Sequence, residues 1–122
     1  SELAKLAGDA MRDEGVVCAE AGGVEGEQKV GMDKFRTDFK AKFNADVQVY
    51  APYVYGAVKV MATAMVNAGS ADPAKYLPAL KSITYKGVTG DIAFDEKGDI
   101  KNGALTLYTY KGGQRSQIAV VR

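Results

Sequence analysis

The hydrophobic pattern of this chain is clearest between residues 46 and 65. An extended segment over residues 47–50 precedes Pro52, whose fixed φ suits the first turn of a helix. Apolar residues then recur at the spacing of one helix face. They are Val54, Ala57, Val58, Met61, Ala62 and Met65. The pattern predicts a helix that buries this face and ends at Gly69, a residue suited to the left-handed position that follows a helix.

Similar periodicity predicts three more helices. The first runs from a cap at Ser1 to about Arg12, and the second covers roughly residues 27–43. The inner face of the second helix carries Met32, Phe35, Phe39 and Phe43. The last helix begins at Asp72-Pro73, which is a strong start signal, and Pro78 is expected to kink or shorten it. Its inward residues are Leu77, Leu80 and Ile83.

Four segments have the patterns of strands. Val16–Ala19 is a short apolar run that predicts a buried strand, and residues 91–94 alternate between polar and apolar side chains. Residues 104–110 and 117–121 flank Lys111-Gly112-Gly113, which predicts a C-terminal β-hairpin. A helix–strand order within a chain of further helices favours an α/β fold.

Composition narrows the chemistry. The 122 residues suit one ordinary domain, and a net charge of +1 without a basic stripe gives no sign of nucleic-acid binding. With no histidine and one cysteine, the chain lacks the residues for zinc sites of the Cys/His type and for Ser/His/Asp catalysis. Cys18 is expected to be a small buried apolar residue. No cofactor or catalytic residue is predicted.

An acidic segment and the start of the chain carry weaker signals. Residues 95–99 resemble the start of a calcium loop, but Thr106 stands where such a loop needs Glu, so an acidic turn is predicted and no metal site. The apolar runs are shorter than the roughly 20 residues of a membrane-spanning helix. Ser1-Glu2-Leu3 lacks the basic and apolar regions of a signal peptide.

Two features point to ligand binding. Residues 20–26 form a loop by composition, and its paired glycines suit either a flexible connector or a hinge. Tyr50, Tyr53 and Tyr55 crowd the start of the helix after Pro52. A helix N-terminus offers unpaired N–H groups and partial positive charge, so this end could meet a ligand carboxylate. Tyr55 is expected to pack in the core.

Six segments in order resemble the C-terminal third of the periplasmic branched-chain amino-acid-binding proteins, the type I solute receptors of ABC importers. They are SELAKLAGDAM, VVCAEAGG, KFRTDFKAKF, YAPYVYGAVKVMATAM, GVTGDIAFDEKGDIKNGAL and YTYKGG. The resemblance implies a fragment of a protein with two three-layer αβα lobes joined by three crossovers. Residues 1–24 would end the second lobe and begin a crossover, 25–90 would belong to the first lobe, and 91–122 would return to the second.

The resemblance also implies roles for particular residues. Tyr50 matches a position whose aromatic ring lines the ligand pocket, and Tyr53 and Gly56 lie on the adjoining turn, where many relatives have Asp in place of Gly56. The predicted ligand-binding residues are therefore Tyr50, Tyr53 and Gly56. Residues 20–24 resemble the second crossover and 88–91 the third. The predicted hinge residues are Glu20, Gly22, Gly23, Thr89 and Gly90.

What the resemblance implies about function is a periplasmic receptor that is not an enzyme. It would hold a small amino acid between closing lobes and present it to the membrane subunits of an ABC transporter. The fragment alone is expected to bind weakly or not at all, and to self-associate through unpaired strand edges, for instance by swapping residues 91–122. The alternative is an excised or engineered α/β module that self-associates and binds no small ligand.

Overall fold

The fold is described from a computed structural model that covers residues 3–11, 15–24, 26 and 28–122. The predicted cap Ser1, the predicted helix end at Arg12 and the predicted helix start at residue 27 lie outside these residues. The elements in chain order are α1 (Leu3–Ala7) continued by a 3₁₀ turn (Gly8–Met11), β1 (Val17–Ala21), α2 (Gln28–Phe43), α3 (Ala51–Ala68), α4 (Pro73–Lys81), β2 (Thr84–Gly87), β3 (Gly90–Ala93), β4 (Leu105–Lys111) and β5 (Gln114–Val121). None of the helices in this described part has the length and apolarity that a membrane crossing requires.

The chain forms two compact units. Residues 1–23 and 102–122 make one, here called the sheet unit, and residues 24–101 make the other, here called the helical unit. The predicted segment boundary at residue 91 falls inside the helical unit, because β3 pairs with β2 and Phe94 bridges Ile100. Assignment of the units to lobes of a receptor stays a prediction.

The sheet unit contains three antiparallel strands in the order β1-β4-β5. Gly112 and Gly113 connect β4 to β5 with φ values of 55° and 76°, as a tight two-residue hairpin turn requires. The predicted C-terminal hairpin is therefore confirmed. Leu107 pairs with Ala119 and Tyr108 with Gln117, so Ile118 is the extra residue of a β-bulge.

β1 differs from the predicted buried strand. Each of its residues is half-buried or exposed, and Cys18 is half-buried rather than buried. Among the described residues, β4 is the only strand that pairs with β1, which makes β1 an edge strand of this sheet. A short apolar run predicts the strand but does not show how many neighbours cover it.

Local sequence signals correctly predict where the helices of the helical unit begin and end, to within a few residues. α2 spans Gln28–Phe43, close to the predicted range, and α3 ends at Gly69 in the left-handed conformation with φ 60°. Asp72 caps α4, where its Oδ1 accepts a hydrogen bond from the Ala74 N–H at 3.0 Å. Pro78 lies inside α4 as predicted. Ile83 is buried, but Leu77 is 47% exposed, so its predicted inward position is wrong.

The buried face of α3 is not the predicted one. Pro52, Gly56, Val60 and Ala64 are buried, four residues apart, whereas Val54 and Val58 are 61% and 63% exposed. The helix is apolar on two stripes, and the stripe of smaller residues packs into the core of the unit. That core joins Val60, Ala64 and Ile83 with partly buried Ala79, Leu80, Tyr85, Ile92 and Phe94.

The glycine-flanked segment after α4 closes a hairpin. Gly87 pairs with Gly90, and Val88-Thr89 is the two-residue turn between β2 and β3. The predicted crossover at 88–91 is therefore wrong: the segment stays within one unit. The predicted acidic turn is present, and the Asp95 carboxylate accepts the N–H groups of Lys97 and Asp99, both at 2.9 Å.

Candidate functional site

Tyr50 stands at the N-cap position of α3. Its φ and ψ are −90° and −11°, its side chain makes no capping hydrogen bond, and 72% of the residue is exposed. An exposed tyrosine presents a flat apolar ring with a polar tip. Tyr53 follows on the first turn and is half-buried. The structure thus places both tyrosines at the same end of α3.

The first-turn N–H groups of α3 are already occupied. The Ala51 N–H donates to the Gln48 carbonyl at 3.1 Å, Pro52 has no N–H, and the Tyr53 N–H donates to the Tyr50 carbonyl at 3.1 Å. These are the groups that a helix N-terminus would otherwise offer to an anion. The predicted meeting of this helix end with a ligand carboxylate through free N–H groups is therefore wrong.

Tyr55 belongs to an aromatic row that links α2 and α3. Its ring centroid lies 5.1 Å from that of Phe35, which is followed by Phe39 at 6.1 Å and Phe43 at a further 4.8 Å. The Lys59 ammonium lies 5.7 Å from the Tyr55 ring. These are the separations of packed aromatic pairs, so Tyr55 contacts α2. The residue is nevertheless 43% exposed, so its predicted position in the core is wrong.

The side-chain position of Gly56 faces the β2–β3 hairpin. A Cβ built at this buried residue would lie 3.4 Å from Ile92 Cδ1 and 3.9 Å from Thr89 Oγ1. A side chain at position 56 would therefore contact the hairpin before anything else. Within the helical unit, the atoms nearest this Cβ position belong to Ile92 and Thr89. A ligand-binding role for Gly56 stays a prediction.

Glu20 lies in β1 and not in the loop that the composition predicts. Its carboxylate contacts the Arg115 guanidinium at 2.5 Å, and both side chains are about one-third exposed. The same guanidinium lies 4.3 Å from the centre of the Tyr108 ring. These contacts join the end of β1 to β4 and β5, across the whole sheet.

Both glycines that follow are required by their surroundings. Gly22 has φ 96°, its N–H donates to the Ala104 carbonyl at 2.7 Å, and its carbonyl accepts from Thr106 Oγ1 at 2.6 Å. A Cβ at Gly23 would lie 2.5 Å from Val120 Cγ1, closer than two non-bonded carbon atoms can approach. The chain leaves the sheet unit directly after Gly23, inside the predicted second crossover. Hinge motion at this place stays a prediction.

Thr89 and Gly90, the other predicted hinge residues, lie in the hairpin of the helical unit. Gly90 is buried with φ 117°, and a Cβ there would lie 3.4 Å from Gln28 Oε1. The chain returns to the sheet unit after residue 101, next to Asn102, which has a left-handed φ of 54°. The Asn102-Gly103 pair is a turn signal by which sequence reasoning could have located this boundary.

Within the ranges that the structure covers, no group of three or more Cys, Asp or Glu side chains is arranged to hold a metal ion. The residues brought together at the start of α3 are aromatic and aliphatic.

Comparison with known proteins places the chain in a family. Residues 1–115 match the periplasmic binding protein family, and the chain belongs to it. Over 120 residues, 97% of the chain, it is 37% identical to the leucine-, isoleucine-, valine-, threonine- and alanine-binding protein of Pseudomonas aeruginosa. It is also 33% identical over 93% of its length to a Leu/Ile/Val-binding protein homologue of Brucella abortus. The chain spans about a third of the length of these relatives, 31% and 29%.

Solved structures agree on the fold. The leucine-binding protein of Thermotoga maritima matches 99% of the chain with a TM-score of 0.76 and 25% identity, over 34% of its own length. A substrate-binding protein of Streptococcus pneumoniae in complex with isoleucine matches 93% of the chain and 32% of its own, with a TM-score of 0.71 at 21% identity. A solute-binding protein of R. palustris in complex with benzoate reaches 0.66 at 15% identity, over 97% of this chain and 32% of its own. The last two show the fold alone.

These comparisons confirm the α/β fold class as part of the type I periplasmic binding protein fold. The relatives are solute-binding proteins, several of them of ABC transporters. They give no support to the alternative of an excised or engineered module without a ligand.

Proposed function

We propose that this chain is the C-terminal part of a solute-binding protein that captures a branched-chain amino acid for an ABC importer. The observation that carries the proposal is the 37% identity with the Pseudomonas aeruginosa protein, which extends over 97% of the chain. Because the chain spans about a third of that relative, the activity is proposed for a polypeptide that contains this chain.

Tyr50 and Tyr53 supply the ligand contacts of this part of the protein. The exposed Tyr50 ring offers a flat apolar wall to an aliphatic side chain, and Tyr53 extends that wall along the first turn of α3. The first-turn N–H groups are occupied, and the chain spans 31% of the Pseudomonas aeruginosa relative, so we expect residues outside this chain to hold the charged ends of the ligand. A solute-binding protein of similar fold binds benzoate. This supports the view that side chains such as these, and not the fold, determine which ligand is bound.

Closure of two lobes around the ligand is the proposed mechanism. A ligand that contacts both lobes stabilises the closed state in proportion to its preference for that state. The Glu20–Arg115 ion pair and the two hydrogen bonds of Gly22 hold the chain firmly up to the sheet edge. Backbone rotation during closure is therefore assigned to the residues after Gly23 and to the return passage at Asn102.

The proposed setting follows from the family. The protein works outside the cytoplasmic membrane, in the periplasm, and passes its amino acid to the membrane subunits of the transporter. It carries out no reaction and needs no cofactor.

Calorimetric titration of the full-length protein tests this function. We expect leucine, isoleucine or valine to bind with a Kd on the order of 1 µM, about −8 kcal/mol, and benzoate to give no heat. The 122-residue chain alone is expected to bind at least about 100-fold more weakly, because it spans 31% of the relative and lacks the rest of the proposed cleft. Absence of binding by any amino acid to the full-length protein would contradict the proposal.

Self-association of the isolated chain is a separate expectation. β1 and β5 each have one strand neighbour in the described sheet, and Val17, Ile118 and Val121 are about half exposed along them. Unprotected apolar edges pair with other chains, by addition or by exchange of the C-terminal strands. Light scattering at rising concentration should show dimers or larger species, and a monomer at every concentration would count against this expectation.

A further inference from the structure

The Cδ1 methyl of Ile92 occupies a space left by two glycines. It lies 3.4 Å from the Cβ position of Gly56 on α3 and 3.1 Å from that of Gly87 on β2. Both residues lack the atom that would otherwise fill the space. A single methyl group of β3 therefore packs between the ligand-site helix and the neighbouring strand.

This contact lies on the buried face of α3 one turn after Pro52, and Tyr55 of the same helix packs against Phe35 of α2. Tyr50 provides no side-chain cap, and the N–H groups of Tyr53 and Val54 both donate to the Tyr50 carbonyl, at 3.1 and 3.0 Å. These bonds hold the turn together but do not fix its place in the protein. The buried residues nearest this turn are Pro52 and Gly56, and Gly56 has no side chain of its own to pack.

We propose that Ile92 is a positioning residue for ligand binding: its Cδ1 methyl, seated between Gly56 and Gly87, sets where the Tyr50–Tyr53 turn stands. The inference rests on the proposed function, since it assigns a role to a residue that does not touch the ligand. It also accounts for Thr89, whose Oγ1 lies 3.9 Å from the Gly56 Cβ position, as part of the supporting hairpin.

Ile92→Val tests the inference because it removes Cδ1 and no other atom. In the full-length protein we expect the Kd for leucine to rise about 10-fold, since small misplacement of a binding group is costly even when every contact residue is kept. Ile83→Val is the matched control. It removes the same methyl group from Ile83, a buried residue of the same core. No atom of Ile83 lies within 4 Å of the Cβ position of Gly56. The Kd of this control should change less than about 2-fold.

Amide hydrogen exchange provides a readout that needs no ligand. In Ile92→Val the Tyr53 and Val54 amides should exchange about 10-fold faster than in Ile83→Val, compared at equal global stability. Equal exchange in the two variants, or an equal rise in Kd, would overturn the inference by showing only a general softening of the core. If the unsubstituted protein binds no amino acid, the proposed function fails, and the exchange rates still decide whether Ile92 positions the turn.

Discussion

Tyr50→Ala is expected to raise the Kd for leucine in the full-length protein by about 10- to 100-fold, the effect of removing a well-placed aromatic contact. The same substitution should change the free energy of unfolding by no more than about 0.5 kcal/mol, because the residue is 72% exposed and makes no capping hydrogen bond. Calorimetric titration and denaturant unfolding of the same sample measure the two quantities.

Two further variants separate the contribution of the Tyr50 ring from those of its hydroxyl and of the surrounding helix. Tyr50→Phe should retain leucine binding within about 3-fold if the apolar ring forms the wall, since only the hydroxyl is lost. Tyr55→Ala removes a tyrosine from the same helix that packs 5.1 Å from Phe35, and should cost about 1 kcal/mol of stability with little change in Kd. A Kd for Tyr50→Ala equal to that of the unsubstituted protein would remove Tyr50 from the site.

Gly23→Ala is expected to lower the free energy of unfolding by about 2–3 kcal/mol, a typical cost of overpacking. The new methyl would lie 2.5 Å from Val120 Cγ1 and 3.1 Å from Thr106 Oγ1, so the backbone or the sheet must move. Valine is stiff at χ1 and cannot turn its methyl aside at low cost. Denaturant unfolding measures the loss.

Gly15→Ala is the matched control for this prediction. Gly15 belongs to the same unit, and a Cβ there would meet no atom of the described residues within 4 Å. The free energy of unfolding of this variant should therefore stay within about 0.5 kcal/mol of the starting value. Equal free energies of unfolding in the two variants would contradict the prediction, because they would show that the strands around Gly23 can shift at no cost in stability.

Signals that act over a few residues predict the structure correctly. The Asp72-Pro73 start of α4, the left-handed Gly69 after α3 and the Gly112-Gly113 hairpin all follow from local backbone preferences. Each depends on one or two residues and their immediate neighbours. Tertiary packing does not alter them.

The inward face of α3 cannot be predicted in the same way. The helix has one apolar stripe through Val54 and Val58 and another through Gly56 and Val60, and periodicity favours the stripe with the larger side chains. Burial of the smaller stripe is decided by how closely α4 and the hairpin approach. Likewise Gly87 and Gly90 indicate a turn, but whether the chain then folds back or crosses to another unit depends on pairing between distant residues.

In the candidate site too, local features follow from the sequence and tertiary contacts do not. The resemblance predicts that Tyr50, at the start of α3, lines a ligand pocket; the residue is exposed, and its contact with a ligand stays a prediction. Free N–H groups are not present there, because Pro52 removes one donor and Tyr53 bonds back to Tyr50. The direction of Gly56 toward Ile92 is a tertiary contact that no local signal carries.

The helical unit is an insertion within the sheet unit, and this arrangement bears on the order of folding. The hydrogen bond from Gly22 to Ala104 shows that the two ends of the insertion leave the sheet side by side. Closing a disordered loop as long as residues 24–101 costs roughly 4 kcal/mol of chain entropy, much of which is avoided once the insertion has folded and holds its own ends together. Because β4 and β5 are joined by two residues, we expect them to pair early, and we expect β1 to join them late and to be released first when the insertion unfolds.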